Sequence, residues 1–236
     1  MDARLNRRQA LGAVGTISLG GLLAACGDGD GGATLQPRPG TTATTPSQLD
    51  EAASCSVTPE QTEGPYYFDV DAIRRDIRED RAGSRLRLAI RVREAASCEP
   101  IPDAVVDIWH ADAQGGYSGF DGAGGGPSAT RYLRGAQVTG AEGIAEFVTI
   151  YPGWYPGRTV HIHAKVHLEA TTVLTTQVYF DDDLSDAVLA TSPYAGRGER
   201  DRRNDGDAIF DAALVMTTSR QSGGHLALMN FDVRRS

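Results

Sequence analysis

Residues Arg85–Val92 read RLRLAIRV, with charged and apolar side chains largely alternating at a period of two. A chain with that period puts successive side chains on opposite faces, so the stretch is expected to be a strand with one covered face. Further strand candidates are Ala104–Trp109 (AVVDIW), Ile144–Ile150 (IAEFVTI), Thr159–Leu168 (TVHIHAKVHL) and Val173–Phe180 (VLTTQVYF), with Leu226–Val233 as the last. Gly83-Ser84, Pro100–Asp103, Gly115-Gly116, Gly122–Pro127, Thr139-Gly140 and Pro152-Gly153 punctuate them as turns or loops. Short strands spaced this way predict an all-β fold, an antiparallel β-sandwich with long loops and few short helices. Helical turns are expected only at Asp71–Asp80, Ser185–Ala190 and Ala208–Val215.

Upstream of these strands the composition changes. Met1–Cys26 begins with a segment carrying Arg4, Arg7 and Arg8, continues as a glycine-rich apolar run and ends in small residues. This is the order of an export signal, assigned here to residues 1–25. The apolar run is too short for a membrane-spanning helix, which needs roughly 20 apolar residues. Arg7-Arg8 resembles a twin-arginine signal, and Leu23-Ala24-Ala25-Cys26 resembles a lipoprotein processing box that leaves Cys26 as a lipidated first residue. Its alternative is a small apolar residue in a discarded peptide. Residues 26–54 are rich in Gly, Pro, Thr and Ser and read as a flexible tether. Residues 55–236 are long enough for one domain with its own core. The expected product is an extracytoplasmic lipoprotein anchored to a membrane.

Charge excludes one class of partner. The whole chain has 23 basic and 31 acidic side chains, and loss of residues 1–25 leaves 20 and 30. An acidic surface of that kind does not favour nucleic acid. No Rossmann glycine fingerprint or phosphate-binding loop is present. Cys55 and Cys98 are the two cysteines of the folded part, and in an exported protein they are expected to pair, the alternative being two separate buried thiols.

The chemistry is concentrated around His161-Ile162-His163. On a strand the two imidazoles emerge side by side while Val160, Ile162 and Ala164 face the other way. Such a pair can offer two nitrogens to one metal, or can be two ordinary hydrogen-bonded histidines. The turn Pro152-Gly153-Trp154-Tyr155-Pro156-Gly157 immediately precedes them, and Tyr117 follows Gly115-Gly116 after the strand ending at Trp109. Phenolate oxygen is a hard anionic donor suited to a trivalent ion. Packing roles for both tyrosines remain open on residue type alone, because spacing does not bring Tyr117 to His161.

Four segments together resemble the intradiol ring-cleavage dioxygenases, the family of protocatechuate 3,4-dioxygenase and catechol 1,2-dioxygenase. They are TPEQTEGPYYFD from Thr58, VVDIWHADAQGGYSGF from Val105, FVTIYPGWYPGRTVHIHAKV from Phe147 and LTTQVYFDDD from Leu174. The resemblance runs from about Thr58 to Phe180. It implies Fe(III) held by Tyr117, Tyr155, His161 and His163, with the residues matching Tyr155 and His161 axial and those matching Tyr117 and His163 equatorial. It implies catalytic roles for Arg158, beside the substrate ring, for Gln177, and for Tyr155 as a proton acceptor. Thr62, Gly64 and Pro65 lie in a segment resembling a stretch that lines the pocket from a partner chain in two-subunit relatives, and Trp154 reads either as a pocket wall or as an aromatic covering the turn. Whether this segment serves its own site or that of a neighbour in a homo-oligomer is open from sequence.

The activity so implied is insertion of both atoms of O2 into a catechol-type ring, giving a cis,cis-muconate-type diacid. Two readings compete with it: an anchored aromatic- or metal-binding sandwich without catalysis, and a zinc hydrolase using His161, His163 and a third ligand. No residue is assigned to bind a substrate carboxylate. The densely charged stretch Tyr194–Asp207 (YAGRGERDRRNDGD) reads as a solvated loop, the alternative being a border of the pocket. His110, His167 and His225 receive no assignment.

Overall fold

The computed structural model describes residue 49, residues 55–122 and residues 126–235. The export signal, the lipidation site Cys26 and the tether, Leu49 apart, lie outside the described residues.

Among the described residues, eight strands make two four-stranded sheets. They are β1 (Arg85–Glu94), β2 (Val105–Trp109), β3 (Arg134–Val138), β4 (Ile144–Ile150), β5 (His161–Leu168), β6 (Thr171–Tyr179), β7 (Thr217–Gln221) and β8 (Gly224–Val233). One sheet runs β4-β1-β8-β7 and the other β3-β2-β5-β6. Leu86, Leu88, Ile90, Phe147 and Phe231 from the first sheet meet Val106, Ile108, Ile162, Ala164, Val166 and Val178 from the second in one apolar core. Every pairing is antiparallel except β1 with β8, which is parallel. The sandwich expectation therefore holds, with this one pairing as a departure.

Two strands escape the sequence reading. β3 is RGAQV and β7 is TTSRQ, and neither alternates polar with apolar residues. Pairing partners set their conformation, as is common for edge strands.

The helix expectations need correction. Residues 71–80 form no helix; Ile73 bridges Ala136 on β3 and Asp76 bridges Val148 on β4. Ile77 is buried in the core, so this segment runs extended along one edge of each sheet and pairs backbone groups that would otherwise stand open. Residues 208–215 contain only a single 3-10 turn, Ala212–Leu214. The end of this segment is drawn alongside β6, where Val215 bridges Tyr179 and Met216 N–H donates to Tyr179 O. Helix α1 (Asp182–Leu189) starts before Ser185, because Asp181 caps it by accepting from the Asp183 and Leu184 amides.

A strap leads from the disulfide to the outer face of the second sheet. Cys55 and Cys98 are bonded, with Cα atoms 5.6 Å apart. Thr58 N–H then donates to Asp232 O on β8, and Gln61 N–H to Thr175 O on β6. Glu63 pairs with Lys165, whose Nζ sits 3.6 Å from the Tyr67 ring centroid. The Tyr67 hydroxyl donates to Asp107 at 3.1 Å. Leu49 packs separately against Ala89, Leu226 and Leu228.

Candidate metal centre

The inner residues of β5, Ile162, Ala164 and Val166, belong to the core, so the period of two turns His161 and His163 onto the outer face beneath the strap. Both are almost fully buried, at 3% and 2% exposure. Their Nε2 atoms lie 3.1 Å apart, and the Tyr155 hydroxyl lies 3.0 Å from His161 Nε2. Tyr117 completes the group, its ring centroid 5.7 Å from that of Tyr155 and 6.0 Å from that of His163.

Glycine permits this convergence. Tyr117 and Tyr155 sit on different loops, and those loops touch at Gly115 (φ +81°), where an added Cβ would fall 2.4 Å from Trp154 O. The Asp112 carboxylate accepts from the Gln114 and Gly116 amides and shapes the turn that presents Tyr117. Gly64 (φ +71°) plays the matching part from the strap, with its Cβ position 3.3 Å from His163 Cε1.

The histidines are prepared as neutral donors. His161 Nδ1 lies 2.6 Å from Thr159 O, which can only accept, so Nδ1 carries the proton and Nε2 keeps its lone pair. Burial, with the Arg158 charge adding to it, lowers the His161 pKa to about 3. Burial and the neighbouring His161 push His163 well below its ordinary value. Trp109, directly opposite His163 in the β2–β5 register, stacks on its ring at 4.9 Å and 7°.

Tyr117 is buried and Tyr155 half-buried, and the loss of water raises Tyr117 well above its ordinary pKa and raises Tyr155. Among the described residues, the Tyr117 hydroxyl makes no hydrogen bond of normal geometry and His163 Nδ1 has no partner. Arg134, itself 1% exposed, grips Ser118 through Nε and Nη2 beside Tyr117 and brings a buried cation to the site. Donor atoms about 2.1 Å from one ion and at right angles to each other are separated by about 3.0 Å. The spacing of Tyr155, His161 and His163 matches that value. Among the described residues no group of three or more His, Cys, Asp or Glu side chains could hold a metal. An ion placed here would draw on both phenols, and a high positive charge would offset the cost of ionising them in a buried site.

The remaining predicted residues fall around this group. Arg158 Nη2 donates to Gln177 Oε1 at 2.5 Å, and Gln177 Nε2 donates to Thr62 O at 2.9 Å. Thr62 and Gly64 therefore reach the site of their own chain, while Pro65 beside them is exposed. Trp154 lies under the Arg197 guanidinium, 4.3 Å from its ring centroid, and packs against the core.

Residues 194–207 are largely exposed, as their charged composition suggested, but several of their side chains turn inward and border the site. Arg197 donates to Trp154 O, Asp201 accepts from Gly157 N–H, and Asn204 and Asp207 reach Thr159. The Arg200 side chain is 3% exposed and pairs with Asp182 and Asp186. These residues clamp the turn that carries Tyr155 and Arg158. Their charged composition disguised the role, because burial here is offset by ion pairs and backbone bonds between segments distant in sequence. Trp109 and Arg134 carry no signal in the sequence either, since only strand register brings them beside His163 and Tyr117.

The family model described as Dioxygenase matches residues 62–195. Chlorocatechol 1,2-dioxygenase of Rhodococcus opacus is 32% identical over 127 residues, covering 45% of this chain and 48% of that protein. Catechol 1,2-dioxygenase of Acinetobacter baylyi is 28% identical over 198 residues, covering 68% of this chain and 63% of that protein. The chain thus spans about half the length of the curated relatives it matches. An intradiol ring-cleavage dioxygenase from Tetranychus urticae superposes with a TM-score of 0.72 at 35% identity, over 76% of this chain and 95% of that one. The dioxygenase domain of a dioxygenase carbohydrate-binding protein fusion from Streptomyces sp. SirexAA-E gives 0.60 at 34% identity, over 77% and 100%.

Proposed function

This chain belongs to the intradiol ring-cleavage dioxygenase family, and from that premise we propose that it is an Fe(III) enzyme cleaving a catechol-type ring between its two hydroxylated carbons. The observation that carries this reading is the convergence of two phenols and two neutral imidazoles on one buried point. Tyr117, Tyr155, His161 and His163 would hold the ion. When bound, Fe(III) would supply a Lewis acid that draws electron density from a catecholate and makes its ring reactive toward O2. One catechol plus one O2 gives the diacid without an external reductant.

The residues of the chain do the rest. Ionised by a bound cation, Tyr155 Oη would be able to take a proton from a catechol hydroxyl, since its partly buried surroundings favour the neutral phenol. Arg158 brings a fixed positive charge to the site, where it favours negative charge developing on the substrate. Gln177, buried and anchored on Thr62 O, orients Arg158 through its Oε1. The strap over His163 restricts water access, and its latches to β6, β5 and β8 hold it there within one protomer.

The N-terminal reading complements this activity. Export by the twin-arginine route would let a chain fold before crossing the membrane, and an acylated Cys26 would hold the product outside the cytoplasm. The test is oxygen uptake by iron-loaded protein with catechol, protocatechuate and substituted catechols, with product spectra and masses recorded together. One O2 per ring and a muconate-type diacid are expected; an extradiol semialdehyde, or no turnover of any catechol, would overturn the proposal.

A further inference from the structure

We propose that Asp207 is a positioning residue of the centre, setting both the Arg158 guanidinium and the peptide that orients His161. The inference rests on the function proposed above and extends it to a residue beyond the stretch matched by the family model, which ends at residue 195.

The Asp207 side chain is 2% exposed. Its Oδ2 accepts from Arg158 Nε at 2.8 Å and from Thr159 N–H at 2.9 Å, while Oδ1 accepts from Ile209 N–H at 3.1 Å. The bond to Ile209 is a local turn bond of a kind common for aspartate. The two bonds at Oδ2 are not local; they join Asp207 to residues 48 and 49 positions earlier. Thr159 is also the residue whose carbonyl accepts from His161 Nδ1. One carboxylate oxygen therefore holds the arginine by its Nε edge, leaving Nη2 to reach Gln177, and holds the amide of the residue that fixes the tautomer of a metal-binding histidine. Burial opposes the charged form of Asp207, but the backbone bonds and Arg158 outweigh it and keep the carboxyl below its ordinary pKa. The charged form that pairs with Arg158 is thereby favoured. Asn204 supports the arrangement by accepting from the Thr159 hydroxyl and donating to Phe180 O.

A histidine held by an outer-shell partner typically loses 10–100-fold in metal affinity or activity when that partner is removed. Asp207→Asn is nearly isosteric and can keep an acceptor at Oδ2, but it removes the charge facing Arg158. Asp207→Ala removes all three bonds. We expect Asp207→Asn to lower kcat/KM for catechol about tenfold, and to have little further effect in an Arg158→Met background, as a double-mutant cycle shows for residues acting through one another. Asp207→Ala is expected to shift the tyrosinate-to-iron absorption band and to shorten iron retention against a chelator at least tenfold, with Asp207→Asn between it and the parent. Should Asp207→Ala fail to fold, the band and chelator measurements on Asp207→Asn decide the matter.

A role confined to folding would lower the unfolding midpoint of both variants while leaving KM, the band and iron retention within about twofold of the parent. That result overturns the proposal. If the parent protein turns over no catechol, the functional reading fails by itself. The band and chelator readouts then still decide Asp207, a changed band supporting it and an unchanged one refuting it.

Discussion

The Nε2 atoms of His161 and His163 stand 3.1 Å apart, on two imidazoles that burial keeps neutral. His161 Nε2 carries a lone pair, since its Nδ1 proton is committed to Thr159 O. A shared cation would satisfy both nitrogens at once. Loading the protein with Fe(III) is therefore expected to raise its unfolding free energy by about 2.7 kcal/mol when free iron stands at 100 times its Kd, and its midpoint with it. Calorimetry on His163→Ala should show that gain abolished. An unchanged gain in the variant would mean that iron binds elsewhere.

Gly64 leaves His163 little room. Gly64→Ala introduces an L side chain at φ +71° and sets its Cβ 3.3 Å from His163 Cε1. The backbone cost is about 1–2 kcal/mol. Gly223, at φ +81° and with nothing within 4 Å of where a Cβ would stand, is the control. Both alanine variants should lose similar stability, while only Gly64→Ala should release iron faster to a chelator. Equal release rates would count against the contact.

The disulfide closes a separation of 43 residues at the start of the strap. Chain entropy assigns a loop of that length about 4 kcal/mol, so Cys98→Ser should be strongly destabilised to urea and reductant should bring the parent down to the same level. The iron absorption band should survive, because Thr62, Glu63 and Tyr67 are held independently by Gln177, Lys165 and Asp107. Loss of the band would show instead that the strap depends on the disulfide alone.

His110 gives the fold a pH dependence of known sign. It is fully buried, with Nδ1 2.7 Å from Ala111 O and Nε2 2.7 Å from Thr149 Oγ1. Burial lowers its pKa from 6.5 to about 4. Between those values the unfolded chain takes up a proton that the folded chain refuses. Stability is therefore complete above pH 6.5 and falls as the pH drops toward 4, by about 3 kcal/mol in all from this residue. Urea titrations of metal-free parent and His110→Gln at two pH values isolate the effect, since other groups titrate in both proteins. From pH 7.5 to 4.5 the parent should lose about 2 kcal/mol more than the variant; equal losses would remove His110 from the account.

Legibility followed distance along the chain. RLRLAIRV on β1 and TVHIHAKVHL on β5 announced themselves because side-chain alternation is set by backbone geometry within a few residues. RGAQV on β3 did not, since its extended form comes from pairing with β2 and from the bridge to Ile73. Asp71–Asp80 suggested helical turns, yet its backbone groups are used along the edges of two sheets.

The sequence by itself determined the all-β class, the shared face of His161 and His163, and the turn that places Tyr155 just before them. Each follows from sterics and spacing over a handful of neighbouring residues. Tertiary structure alone decided that Tyr117 reaches those histidines, that the strap crosses its own site, and that Asp207 sits beneath Arg158. Those relationships join residues tens of positions apart, and they depend on which strands pair, which glycines let backbones touch, and which buried charges find partners to offset their desolvation.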